Sequence, residues 1–111
     1  MNNTFEELGV APEFIRSLGE QNLSSPTDIQ KKVIPLALGN GDVVAQAPTG
    51  TGKTLAFALP MLSKIDRDDS SVQAVVVCPT RELVIQICEV LQSVLKYSER
   101  IRVAGLYGGQ N

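Results

Sequence analysis

The chain has 111 residues, with 10 basic against 12 acidic, a formal net charge of −2, and 43 % hydrophobic against 20 % charged residues. That length limits it to one domain with a modest core, and that balance is the composition of a folded globular chain. There is no His and no Trp, which excludes a Ser–His–Asp triad, a Cys–His pair and a His-ligated metal, and the mild acidity speaks against nucleic-acid binding through bulk positive charge.

The first ten residues hold Glu6 and Glu7 and no basic residue, so neither a secretory signal nor a mitochondrial presequence is expected. A helix is predicted over 12–18, with Pro12 in its first turn and Gly19 near its end. A second is predicted over 28–38, followed by Gly39 as the left-handed residue and Asn40-Gly41 as a turn. Three Val- and Ile-rich runs, 42–47, 73–78 and 101–106, read as buried strands of a parallel sheet covered on both faces. Between them, 53–65 places Leu55, Leu59 and Leu62 on one helical face, and 81–97 does the same for Leu83, Ile87, Val90, Leu91 and Val94, with Thr80 as N-cap. Pro35 and Pro60 fall inside predicted helices, where a kink or an early end is expected. The order strand, helix, strand, helix, strand gives two βαβ units and a doubly wound α/β class. Residues 66–71 form the one clearly polar connection. No apolar run approaches the ~18 residues of a membrane-spanning helix. Cys78 and Cys88 lack a CxxC spacing and read as reduced, buried thiols of an intracellular protein.

The most informative stretch is Ala47-Pro48-Thr49-Gly50-Thr51-Gly52-Lys53-Thr54, which follows a predicted strand and opens a predicted helix. Successive N–H groups turned inward make an anion nest, and glycine permits the backbone angles it needs. The helix adds its positive N-terminal end. Lys53 can reach the β- and γ-phosphates of a nucleotide, and the Thr54 hydroxyl can ligate Mg²⁺. Ala47 stands where the usual GxxxxGK[ST] pattern has its first glycine. A plain glycine-rich turn accounts for the glycines but not for a Lys-Thr pair at the helix start.

Upstream lies Ser25-Pro26-Thr27-Asp28-Ile29-Gln30. A carboxamide such as Gln30 can accept from adenine N6 and donate to N7 together. Thr27-x-x-Gln30 is equally a capping box, in which Gln30 folds back on its own helix start. Phe5 offers an aromatic face for stacking, or a core side chain beside Leu8. The residues alone leave both alternatives open.

Together these residues resemble the DEAD-box family of ATP-dependent RNA helicases. Pro26-Thr27-Asp28-Ile29-Gln30 resembles its Q motif, with Phe5 as the isolated upstream aromatic. Residues 47–54 resemble motif I, Pro79-Thr80-Arg81-Glu82-Leu83 motif Ia, and Gly108-Gly109 the paired-glycine motif. Asn22-Leu23, where the family has Gly and an aromatic, and Asp28, at a place often held by Pro, depart from the pattern. The resemblance implies the N-terminal portion of a RecA-like P-loop NTPase domain, with 1–41 as the Q-motif helical region and 42–111 as the phosphate loop and following βαβ units. It implies ATP and Mg²⁺ as cofactors, held by Thr27, Gln30, Thr49, Gly50, Thr51, Gly52, Lys53 and Thr54, with Phe5 stacking on the base and Lys53 and Thr54 serving catalysis. It implies an RNA backbone against Pro79, Thr80, Arg81, Gly108 and Gly109, contacts that read shape rather than sequence. Glu82 reads as a first-turn acid supporting its helix.

In the family the acidic DEAD motif comes well after the paired glycines, so the chain alone is expected to lack ATP turnover. Asp68-Asp69 read as a solvated turn, not a substitute. Without later strands, sheet edges are expected to stay unpaired and apolar faces uncovered. The competing expectation is a truncated, non-catalytic protein that binds a nucleotide or a partner. A small P-loop kinase fits less well, because nothing in such an enzyme explains Pro79-Thr80-Arg81-Glu82-Leu83.

Overall fold

The computed structural model describes residues 4–47 and 52–109. The short helix α1 (Phe5–Leu8) starts on Thr4, whose hydroxyl accepts the Glu7 N–H at 3.1 Å, and stops at Gly9 with φ 95°. Helix α2 (Pro12–Glu20) opens on proline, whose fixed φ suits a first turn and whose missing N–H is no loss there. It runs through Gly19 and past the predicted end. The residue that turns left-handed is Asn22 (φ 62°), and the Leu23 N–H then returns to the Leu18 carbonyl at 2.9 Å. Asparagine tolerates this conformation better than most residues, so it takes the role glycine often fills.

Helix α3 (Asp28–Leu38) has the predicted bounds. Gly39 does not turn left-handed as expected: its φ is −75° and its ψ −167°. Its carbonyl accepts from Lys64 Nζ at 2.6 Å, a cation at a helix C-terminus that supplies a donor without a tight turn. Helix α4 (Lys53–Ser63) and helix α5 (Arg81–Val94) follow, and a 3₁₀ turn (Leu95–Tyr97) extends α5 to the predicted end. Neither Pro35 nor Pro60 ends its helix early. Pro35 lies on an exposed face, where water can serve the carbonyl that loses its helical partner. Pro60 is fully buried, so packing of its ring offsets part of the lost bond.

The core sits where the helices meet. Phe14 and Leu18 from α2, Ile34 from α3, Leu59 from α4 and Val94 from α5 are each 1 % exposed or less. Ser17 is buried among them, and its hydroxyl lies 2.8 Å from the Phe14 carbonyl and 2.9 Å from the Val94 carbonyl. A polar group can stay there because both carbonyls meet it. The 66–71 connection is a set of Asx turns. Asp66 and Asp69 side chains accept from the N–H groups of Asp68 and Ser71, and the Gln73 amide closes over both.

The three predicted strands are corrected. Among the described residues no strand forms. A period-two alternation is nonetheless present in the third segment. Residues 101, 103, 105 and 107 are half-buried, while 102, 104 and 106 are exposed. Val43 and Val76 are 36 % exposed, whereas their neighbours Val44 and Val77 stand at 101 % and 90 %. The third segment therefore has one face turned toward the helices and one uncovered face, while 42–46 and 73–77 are exposed throughout, not covered on two faces as predicted. A parallel ladder needs a neighbouring strand in register, and none of these segments supplies one to another. Both cysteines are free and half-buried, and so less buried than expected. Cys88 Sγ packs so closely against the third segment that a Cβ on Gly105 would come within 2.8 Å of it.

Candidate functional site

Gln30 links two elements. Its side chain is within a residue only 3 % exposed, and its Oε1 accepts the Thr27 N–H at 2.9 Å. The Gln30 N–H donates to Thr27 Oγ1 at 3.4 Å, which completes the capping box. In addition Gln30 Nε2 donates to the Gly52 carbonyl at 3.2 Å, across 22 residues of chain. The cap of α3 thus holds the residue that opens α4. Gly52 has φ 85°, and a Cβ there would overlap Gln30 Nε2, so glycine is required both for its dihedral angle and for space. A primary amide has two lone pairs and two N–H bonds. In Gln30 one of each is used by Thr27 and Gly52, which leaves one of each for a further partner. The capping box is therefore present, and the same amide also holds Gly52.

The start of α4 differs from every other helix start. Thr4, Thr27 and Thr80 cap α1, α3 and α5, each followed by an acid in the first turn, and α2 has Pro12 and Glu13. Helix α4 has no side-chain cap and no first-turn acid, and its first residue is the exposed Lys53. Uncapped N–H groups and a cation at the positive end of a helix are unfavourable by themselves and complementary to an anion. Thr54, half-buried, follows directly. Pro48 and the predicted phosphate-binding residues Thr49, Gly50 and Thr51 lie outside the described residues. An open groove of about 1360 Å³ runs from Thr27, Gln30, Gly52, Lys53 and Thr54 along the apolar sides of Phe57, Met61, Leu83 and Ile87.

A second group forms at the start of α5. Thr80 Oγ1 accepts the Leu83 N–H at 3.1 Å, and Pro79, Thr80 and Arg81 are all exposed. The Arg81 guanidinium lies over the Tyr107 ring, 5.6 Å from its centroid. Gly109 adopts φ 87°, and a Cβ there would stand 3.4 Å from Arg81 Nη2. A Cβ on Gly108 would meet nothing. The structure therefore brings Arg81 to the paired glycines, as predicted for one surface, and makes only Gly109 conformationally demanding. Tyr107 was not among the predicted site residues. The available signal was an aromatic two places before Gly109, which a motif built on glycines passes over.

Phe5 lies in the core at 2 % exposure, with no open ring face for a base. The core alternative, not the stacking one, describes where its ring is. Asp68 pairs with Arg100 at 2.5 Å, and Asp69 turns onto Ser71, whose hydroxyl and N–H hold the Asp69 carboxyl below its usual range. Both stay in the exposed connection, as predicted for a solvated turn. Among the described residues no cluster of acids, cysteines or histidines could hold a metal ion, and no helix is long and apolar enough to cross a membrane.

The family model described as DEAD/DEAH box helicase matches residues 27–111. The chain is 47 % identical over 108 residues to a protein named DEAD-box ATP-dependent RNA helicase CshA from Geobacillus kaustophilus, covering 97 % of this chain and 23 % of that protein. It resembles the crystal structure of a DEAD box protein from the hyperthermophile Methanococcus jannaschii with a TM-score of 0.90 and 36 % identity, over 98 % of this chain and 30 % of that one. The structure of S. cerevisiae Dbp5 bound to RNA and ADP BeF3 matches with a TM-score of 0.82 and 40 % identity, over 86 % of this chain and 25 % of that one. The chain thus spans about a quarter of the length of such relatives.

Proposed function

We propose, from the premise that this chain belongs to the DEAD/DEAH box helicase family, that it is the N-terminal, ATP-binding part of a DEAD-box ATP-dependent RNA helicase. The whole protein would couple ATP binding and hydrolysis to the opening or remodelling of RNA duplexes. The observation that carries the reading is the start of α4: an uncapped helix N-terminus headed by Lys53 and tied through Gly52 to Gln30. These residues fit a nucleoside triphosphate. The α4 N–H groups and Lys53 would hold its phosphates, and Thr54 would hold the accompanying Mg²⁺. The remaining N–H and lone pair of Gln30 would read the adenine edge. Thr27 acts through Gln30, by fixing its amide. Bound Mg·ATP supplies the phosphoryl group whose transfer drives the cycle.

Pro79, Thr80, Arg81, Gly108 and Gly109 would face the RNA backbone, which agrees with their exposure and with the position of Arg81 beside Gly109. The alternating exposure of 101–107, with the Val-rich character of 42–47 and 73–78, supports strands of a RecA-like parallel sheet wherever ladder partners are present. On this reading 1–41 is the Q-motif region, and 42–111 is the phosphate loop with its βαβ units.

Titration of the full chain with a fluorescent ATP analogue and its GTP counterpart tests the proposal. Lys53→Ala should weaken both nucleotides about tenfold or more. Gln30→Ala should weaken ATP more than GTP. Equal loss of both would reduce Gln30 to its capping role, and unchanged affinity in Lys53→Ala would remove the phosphate site.

A further inference from the structure

We infer that Tyr107 is a positioning residue for Arg81, holding its guanidinium over the paired-glycine turn so that it meets a nucleic-acid phosphate already oriented. The inference rests on the RNA-facing reading of Arg81 given above. Three observations carry it. The Arg81 Cζ lies 5.6 Å from the Tyr107 centroid, within the range of a cation–π contact. Arg67, Arg100 and Lys96 each have a carboxylate within 2.6 Å, whereas among the described residues no carboxylate pairs with Arg81. The Gly109 backbone passes close under the same guanidinium, in a left-handed conformation that keeps a side chain out of that space.

A carboxylate would orient the arginine equally well, but it would neutralise the charge and compete with a phosphate for the fork of N–H donors. An aromatic face restrains the guanidinium while leaving its in-plane N–H groups to an anion. Tyr107 is half-buried and lies on the same register of 101–107 as residues 101, 103 and 105. The Gly109 turn then sets how near a sugar-phosphate chain can approach. The ring thus lowers the ordering cost that a long exposed side chain would otherwise bear on binding.

The test measures binding of a fluorescent single-stranded RNA oligonucleotide to the full chain by anisotropy, over a range of salt. Arg81→Ala should weaken binding and lower the salt slope by about 0.7, the value for one phosphate contact on a single strand. Tyr107→Leu should weaken binding about 2–5-fold, the range of one exposed cation–π contact, and Tyr107→Phe should restore it. In an Arg81→Ala background Tyr107→Leu should have no further effect. Melting temperatures are read in parallel, and Tyr107→Met replaces Tyr107→Leu should the latter unfold. Unchanged binding in Arg81→Ala would refute the RNA reading of this surface. A clear loss in Arg81→Ala with no loss in Tyr107→Leu, or with the same loss in both backgrounds, would overturn the positioning role alone.

Discussion

Gly52→Ala is the substitution whose cost can be worked out most fully from the structure. The glycine has φ 85°, a region where an L side chain costs about 1–2 kcal/mol. Its new Cβ would overlap Gln30 Nε2 and lie 3.1 Å from Thr27 Oγ1 and 3.2 Å from Thr27 Cγ2. The Gln30 amide must then leave, breaking its bonds to the Gly52 carbonyl and the Thr27 N–H. The Gly52 carbonyl keeps the Ala56 N–H at 3.2 Å, so the principal orphan is the Thr27 N–H, at about 1–2 kcal/mol. The sum is about 2–4 kcal/mol, a fall in melting temperature of roughly 10–20 °C for a chain of this size. Urea unfolding followed by far-UV circular dichroism measures it. The cycle with Gln30→Ala is decisive, because that change removes the colliding amide and the bonds it makes. In that background Gly52→Ala should cost only the dihedral strain, about 1–2 kcal/mol, leaving a coupling of about 1–2 kcal/mol. Equal costs in both backgrounds would show that Gln30 does not hold the start of α4, and the reasoning would fail.

Gly105→Ala should cost about 1–3 kcal/mol in unfolding experiments, because its Cβ would meet Cys88 Sγ at 2.8 Å and Val84 Cγ1 at 3.3 Å; Cys88→Ala should recover most of that loss. Ser17→Ala should cost about 1 kcal/mol in the same assay, since it removes the hydroxyl that joins α2 to the Val94 carbonyl at the end of α5. Glu13 is held below the usual carboxylate range first by its own backbone N–H and then by Arg67, 2.6 Å away. A lowered folded pKa stabilises the fold above the unfolded value, about 4.3, and the contribution is lost as pH falls through the folded value. Wild type should therefore exceed Glu13→Gln by no more than about 1 kcal/mol above pH ~5, given a pair with roughly a third of each side chain exposed, and the difference should vanish in acid.

Helix placement was legible because it depends on near neighbours in sequence. Thr27 with Gln30, Thr80 before Leu83, and the leucines of α4 and α5 announce their elements within a turn or two. The end of α2 was misplaced because Gly19 looked like a terminator, while Asn22 carried the left-handed turn. The Val-rich runs were legible as strand-like segments, since they are short, nearly continuous in apolar residues and rich in β-branched ones. Their ladder was not, because pairing is a property of two segments and no single run contains it. The same division holds for the site. Lys53 and Arg81 stand out through local pattern. The bond from Gln30 to Gly52 and the ring of Tyr107 under Arg81 join residues 22 and 26 places apart, and no periodicity encodes either.

Local rules fail together at one place, and that place is the candidate phosphate site. Helix α4 begins on a left-handed glycine without a cap, follows it with a cation and a β-branched residue, and carries Pro60 further along. The cation at the N-terminus, the β-branched residue and the proline each disfavour helix, by about 0.5–3 kcal/mol on intrinsic scales. The helix forms because Leu55, Ala58, Leu59 and Leu62 are buried and because Gln30 anchors its N-cap residue Gly52 from α3. Its N-terminus is therefore held from outside, and among the described residues no side chain caps its N–H donors. A bound polyanion would satisfy those donors and neutralise Lys53, relieving the very terms that disfavour the turn. Anion binding at this candidate site and folding of α4 would on that account be one equilibrium: whatever loosens Gln30 would weaken both, and whatever occupies the donors would strengthen both.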